Sequence, residues 1–169
     1  MPHPAAVLTV SDLGSRGERV DTAGPAVVAL LEAAGFAVVA TGILPDEPDR
    51  IAEWLRDRVA EDVALAITAG GTGLSPRDRT PEATAGVLDY RVEGMEQAMR
   101  AAGLASTPMA MLSRGLVGVR GRTLIVNLPG SERGARENLT TVLPVLDHAC
   151  SSLRDASREV RATHDRLAE

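Results

Sequence analysis

The chain has no lysine: all 18 basic residues among its 169 are arginines. A Walker-type phosphate loop closes on Gly-Lys-Ser/Thr and Schiff-base catalysis needs a free amine, so both are excluded. Aromatic residues are reduced to Phe36, Trp54 and Tyr90, which leaves Leu, Val, Ile and Ala to fill any core. Base stacking on aromatic platforms is thereby removed as a binding mode, and a planar ligand ring would have to lie against aliphatic side chains and backbone. The single cysteine, Cys150, cannot form an internal disulfide and reads as a small buried side chain. The three histidines, His3, His148 and His164, are too scattered for a metal cluster or a His-centred triad. A net charge of −5 argues against a nucleic-acid surface. Met1-Pro2-His3-Pro4 lacks the start of a signal peptide, and the longest uncharged run, Val63 to Pro76, is too short and Gly-rich to span a bilayer. A soluble cytoplasmic protein is expected.

The length fits one domain, 1–169, with a core over about 5–152 and a charged, solvated or frayed tail over 154–169. Ala6 to Val10 reads as a β-rich opening run, followed by a loop from Ser11 to Asp21. Pro25 to Ala34 has a broad apolar face and ends at Gly35, as helices do. Phe36 to Leu44 reads as a second strand. Pro48 opens a helix with Ile51, Trp54, Leu55 and Val59 on one face, and Val63 to Thr68 is an apolar run suited to a strand covered on both sides. This alternation predicts parallel βαβ units. Helices from about Pro81 and from Val92 to Ala102, the latter closed by Gly103, should follow. Further strands are expected at Met109 to Leu112 and Thr123 to Leu128, then a helix from Asn138 to Leu153 kinked at Pro144.

In open parallel sheets ligands bind beyond the carboxyl ends of the strands. Those ends carry Ser11-Asp12, Pro45-Asp46-Glu47, Gly70-Gly71-Thr72-Gly73 and Asn127-Leu128-Pro129-Gly130. Glycines let backbone N–H groups turn toward an anion, which suits phosphate. A dinucleotide fingerprint starting at Gly71 fails because Pro76 stands where its third glycine belongs. Gly-Gly-Thr-Gly alone could equally be a tight strand-to-helix turn; Arg77, Asp78 and Thr80-Pro81-Glu82 close behind it favour the anion site, with Thr80 expected as N-cap and Pro81 at the first helical position. Asp46 and Asp78 together suit Mg²⁺ held beside phosphates. Helix capping competes for Asp46 and is preferred for Asp49. Arg114, in Ser113-Arg114-Gly115, offers a planar fork for a phosphate. Arg56, Arg58, Arg154 and Arg158 read as surface ion pairs.

These segments, with Val10-Ser11-Asp12, Asp21-Thr22-Ala23-Gly24, Leu44-Pro45-Asp46-Glu47, Ser75-Pro76-Arg77-Asp78-Arg79-Thr80-Pro81-Glu82-Ala83 and Leu112-Ser113-Arg114-Gly115, resemble the MogA/MoaB family over roughly residues 5 to 152. Within it the resemblance is to the molybdopterin adenylyltransferases of the MogA type, which are similar to the G domain of gephyrin. It implies a three-layer α/β/α fold with a mostly parallel sheet, a homotrimer, and Mg²⁺-assisted adenylylation of molybdopterin by ATP in molybdenum cofactor biosynthesis. A molybdate-insertion protein would act downstream. By motif, Asp46 and Asp78 correspond to catalytic, metal-associated aspartates. Ser11, Asp12, Gly70, Gly71, Thr72, Gly73, Pro129 and Gly130 fall on the nucleotide or phosphate side, and Ser113, Arg114, Thr80 and Glu82 on the side of the second substrate. The chain departs from the pattern at Glu132, at Glu93-Gly94 in place of Pro-Gly, and at Gln97, where an acidic residue is common; the last weakens the case for a carboxylate from that helix in the site. One alternative is a MoaB-like member that binds the pterin or nucleotide without efficient catalysis. A further one is the corresponding part of molybdenum insertases or CinA proteins, whose chains are much longer.

Overall fold

Three runs of small and branched aliphatic residues form the centre of the molecule: β1 (Pro4–Val10), β3 (Leu65–Ala69) and β6 (Thr123–Leu128), the last two buried at every position. Strands covered on both faces cannot alternate apolar with polar residues, which explains why these read as continuous apolar runs. In this computed structural model the backbone is described for residues 1–167 and side chains for residues 1–155. One six-stranded sheet has the order β2-β1-β3-β6-β5-β4, where β2 is Ala37–Leu44, β4 Tyr90–Arg91 and β5 Val117–Arg120. The first four strands in that order are parallel, and β5 and β4 are antiparallel additions.

Successive side chains point to opposite faces, so each central strand feeds two cores. Ala5, Val7, Leu65, Ile67, Leu124 and Val126 pack against α2 (Ala23–Ala33), α5 (Glu93–Ser106) and α6 (Glu132–Leu167) through Val27, Leu31, Met99, Leu139 and Leu146. Leu8, Val10, Ala66 and Ile125 face α3 (Pro48–Ala60) and α4 (Thr80–Ala85) through Ile51, Leu55 and Ala83. The result is the expected three-layer arrangement. Cys150 is fully buried against the first core, and burial pushes its thiol up to about 12.

Several elements differ from the sequence reading. Met109 to Leu112 is not a strand but part of a 3₁₀ helix, Pro108–Leu112; Pro108 lacks an N–H and the Thr107 hydroxyl caps the turn by accepting from Met109 N. The antiparallel strand is instead β5, joined to β6 through Gly121 at φ 57°. Gly118 within β5 accommodates Leu88 and the Tyr90 carbonyl, which a Cβ would strike. A short helix, α1 (Asp12–Ser15), interrupts the expected loop, capped by Ser11, whose hydroxyl accepts from Gly14 N. β2 starts after Phe36, and β3 starts at Leu65 rather than Val63. α5 runs through Gly103 to Ser106: here glycine serves close packing, since a Cβ would lie 2.8 Å from that of Ala110. Thr80 is the first residue of α4, not its cap, which is Arg79. α6 begins at Glu132, well before Asn138, where the Ser131 hydroxyl accepts from Gly134 N, and its backbone continues past Pro144 to Leu167. The charged stretch expected as a frayed tail is thus helical in its backbone to Leu167, while its side chains beyond 155 lie outside the described residues.

Candidate active site

Because β1, β2, β3 and β6 run in one direction, their carboxyl ends deliver Ser11-Asp12, Asp46, the Gly70–Gly73 loop and Pro129-Gly130 to one edge of the sheet. Gly70 N donates to Leu128 O at 3.0 Å, and Gly130 sits so close that its Cβ would be 3.2 Å from the Gly70 Cα. Gly70 and Gly71 have φ of 116° and 65°, conformations that side chains rarely adopt. At Gly71 a Cβ would also collide with the Thr80 hydroxyl and with Oδ1 of Asp46. Glycine is needed there to let these two groups converge.

Asp46 is 8% exposed. Burial, reinforced by the charges of Asp12 and Asp78, raises its pKa from the ordinary 3.8 to about 6. Its Oδ1 and the hydroxyl oxygen of fully buried Thr80 are buried without a hydrogen-bond partner. Buried polar atoms are ordinarily paired, so two orphans beside the same glycine mark a place prepared for something from outside the chain. Asp12 behaves oppositely. Arg77 donates to it from Nε at 2.9 Å and from Nη2 at 2.8 Å, Asp46 N donates at 3.0 Å, and these bonds, Arg77 first, hold its carboxyl down at about 2. Asp78 lies at the loop's far end, where its Oδ2 accepts from Ser75 N. Among the described residues no three acidic, imidazole or thiol groups gather closely enough to cage a cation alone. Mg²⁺ requires less, being held by one or two carboxylates with water and phosphate completing its shell, and the orphaned Asp46 oxygen with Asp78 nearby fits that donor set.

Arg114 faces the loop itself. Its backbone N donates to Thr72 O, Nε to Gly73 O, Nη2 to Asp78 O, and Nη1 to Glu82. That ion pair, chiefly its hydrogen bond, lowers the Glu82 pKa. The expected phosphate fork is therefore spent on fixing the glycine loop to α4, a positioning role that sequence spacing did not reveal. Asn127 is a joint beneath the site: Nδ2 donates to the Thr68 and Thr84 hydroxyls at 2.9 Å, and Oδ1 accepts from Leu116 N at 3.1 Å.

Two cavities meet at the loop. One, of about 710 Å³, is the more polar of the two and is lined by Ser11, Asp12, Asp46, Gly70 and Arg77, among others. The second, of about 490 Å³, has mainly apolar walls from Met99, Met109 and Leu112, with Thr72, Gly73, Ser113, Pro129, Arg100 and Asn138 also at its surface. Gly71, Asp78, Gly130 and Ser131 border both. Sequence reasoning gave no individual role to Arg77, Asp21, Arg100 or Asn138. Asp21 was legible only as part of Asp21-Thr22-Ala23-Gly24; it accepts from the Thr9 hydroxyl at 2.6 Å and from Gly24 N at 3.0 Å, tying α2 to β1 at the cavity wall. Nor did sequence foresee Glu96, fully buried one residue before Gln97. Burial alone would raise its pKa, but Arg91, Val117 N and Arg100 all donate to it and hold it low. This carboxylate supports Arg100 rather than facing ligand.

Comparison with known proteins gives a consistent picture. The family model described as "Probable molybdopterin binding domain" matches residues 6–148. Gephyrin of Dictyostelium discoideum is 41% identical over 153 residues, covering 85% of this chain and 21% of its own length. Molybdopterin adenylyltransferase of Helicobacter pylori J99 is 37% identical over 145 residues, covering 84% of this chain and 82% of its own. The solved structure of the molybdopterin biosynthesis enzyme MoaB from Thermus thermophilus is 55% identical, with a TM-score of 0.85 over 89% of this chain and 96% of that one. The chain spans between 21% and 49% of the length of the first three curated relatives it matches.

Proposed function

The chain belongs to the family described as "Probable molybdopterin binding domain", and from that premise we propose that it is a nucleotidyltransferase of molybdenum cofactor biosynthesis, the molybdopterin adenylyltransferase. A terminal phosphate oxygen of molybdopterin attacks the α-phosphorus of ATP; that P–O bond forms, the bond from the α-phosphorus to the bridging oxygen breaks, and pyrophosphate leaves. The observation that carries this reading is the junction at Gly71, where the orphaned Asp46 carboxylate oxygen, with the orphaned Thr80 hydroxyl buried behind it, borders a more polar cavity that meets an apolar one. The polar cavity suits the nucleotide and its phosphates, and the apolar cavity the pterin. Both phosphates are then brought to one point, which is most of what such a transfer demands.

No side-chain nucleophile is needed. Backbone N–H groups of Gly71, Thr72 and Gly73 are candidates to meet phosphate oxygens, while Arg77, released from Asp12, is an available cation. Mg²⁺ held by Asp46 and Asp78 would supply neutralisation of phosphate charge in a chain without lysine. Arg114 and Glu82 keep the loop at the start of α4, and Ser113 contributes a hydroxyl to the pterin side. The chain works as one domain over its whole length, as a homotrimer, in the cytoplasm, and passes its product to a molybdate-insertion protein. Among the described residues no helix is long and apolar enough to cross a membrane.

The test is incubation of the protein with molybdopterin, ATP and Mg²⁺, with detection of adenylylated pterin and of pyrophosphate. Both should form in equal amounts. Binding of either substrate with no product, under conditions where a related enzyme turns over, would replace this reading with that of a MoaB-like binding protein.

A further inference from the structure

Asn138 is 7% exposed, stands near the start of α6, and faces the apolar cavity between α5 and the 3₁₀ helix. The charged groups of that cavity, and the Thr107 hydroxyl, are engaged. Glu137 accepts from the Ser106 hydroxyl at 3.0 Å and from Arg133 Nε at 2.9 Å, Arg100 donates to Gly115 O and to Glu96, and the Thr107 hydroxyl accepts from Met109 N. The Asn138 carboxamide lines the same cavity and takes part in none of the side-chain hydrogen bonds formed around it by Arg133, Gly134, Arg136 and Thr141. Its amide atoms are open to the cavity rather than sealed in the core, so a ligand edge entering there can take the place of solvent on them. No described residue is held in place by this side chain.

A carboxamide presents one acceptor and two donor hydrogens in a single plane. That arrangement matches a planar heterocycle carrying a donor and an acceptor on adjacent edge positions, the pairing by which Asn and Gln recognise adenine. The aminopyrimidinone edge of a pterin has this character. The walls beside Asn138 are Met99, Met109 and Leu112, whose thioethers and methyls can pack on the two faces of a ring in a chain nearly devoid of aromatics. We propose that Asn138 is a specificity-determining residue that reads the aminopyrimidinone edge of the pterin. This rests on the reading above that a pterin occupies the apolar cavity. Gly103 is part of the same device: its missing side chain lets Ala110 close over α5, with the position of its absent Cβ 3.9 Å from Asn138 Oδ1.

The full chain is titrated with 6-methylpterin and with 6-methylpteridin-4(3H)-one, in which hydrogen replaces the 2-amino group, following pteridine fluorescence; Mg-ATP affinity and melting temperature are measured alongside. Wild type should prefer the pterin by about tenfold or more, the scale of one planar two-bond contact. Asn138→Leu should bind the two pteridines equally, melt at the same or a higher temperature, and keep its Mg-ATP affinity. Asn138→Ala, which removes the carboxamide altogether, should also lose the preference and decides the matter should the leucine variant fail to fold. Retention of the wild-type preference in either folded variant overturns the role of Asn138 while leaving the cavity assignment standing. Wild type that binds Mg-ATP but neither pteridine overturns the cavity assignment, and this inference with it.

Discussion

Replacing Asp46 by Asn should make the protein more stable at neutral pH and abolish its adenylyl transfer. In the folded chain the Asp46 carboxyl is raised, by burial first and then by Asp12 and Asp78, from 3.8 to about 6. At about 1.4 kcal/mol per pH unit, that difference corresponds to about 3 kcal/mol of destabilisation by the ionised form. The sign follows from proton binding. Below about pH 4 Asp46 is protonated in both folded and unfolded chains, and Asn mimics it; the variant and wild type should then be nearly equal in stability. Between pH 4 and 6 the folded chain holds the proton longer, so wild-type stability falls with rising pH relative to the variant. Above pH 6 the advantage of the variant is complete. For a chain of this size it corresponds to a melting temperature higher by roughly 6–12 °C. Urea unfolding of both proteins at pH 4 and pH 7.5 measures it directly. Mg²⁺ adds a second arm: it should stabilise wild type at pH 7.5 and leave Asp46→Asn nearly unaffected, because the cation opposes the repulsion that Asn has removed. An Asn variant that is no more stable than wild type at pH 7.5, with no difference between the two pH values, would refute the claim that Asp46 is held ionised at a cost in stability.

Two further substitutions separate loop geometry from chemistry. Gly71→Ala places a methyl group at φ 65°, against both the Thr80 hydroxyl and Asp46 Oδ1. It should destabilise by about 1–2 kcal/mol, and by more if the methyl cannot be relieved, and should lower kcat by an order of magnitude or more; unchanged turnover would remove the junction at Gly71 from the site. Arg114→Lys keeps the charge but cannot reach Gly73 O, Asp78 O and Glu82 together as the guanidinium does. A rise in KM for both substrates is expected, from a loop no longer fixed to α4, and Glu82 should titrate nearer its ordinary value by carboxyl NMR; a wild-type KM would show that the clamp does not position the loop.

The central βαβ pattern was legible because strands buried on both faces must be continuously apolar, and Gly35 and Pro48 punctuate them where backbone chemistry requires. The strand-end rule then brought Asp12, Asp46, Gly70 and Gly130 to one edge, where the structure also has them. What sequence could not convey were interactions between distant segments. β5 is short and interrupted by Gly118, and its partner in pairing is decided by β6 rather than by its own pattern. Met109 to Leu112 looks like a strand by composition, yet Thr107-Pro108 sets a 3₁₀ turn. Arg114 offers a fork suited to phosphate in any one-dimensional view; only the fold shows that carbonyls of Gly73 and Asp78 already occupy it. Gln97 directed attention away from α5, whereas Glu96, one position earlier, turns inward to hold Arg91 and Arg100. Asn138 looked like the start of a helix and proved to be a buried amide inside one.

The most direct test of the central claim follows the phosphorus atoms. The protein is given molybdopterin, Mg²⁺ and ATP labelled at either the α- or the γ-phosphate, in parallel with Asp78→Asn. Adenylyl transfer at the Gly71 junction predicts that the α-label appears in the pterin product, that the γ-label leaves as pyrophosphate, and that Asp78→Asn remains folded with most of its turnover lost. The γ-label on the pterin, or full turnover by Asp78→Asn, would contradict it.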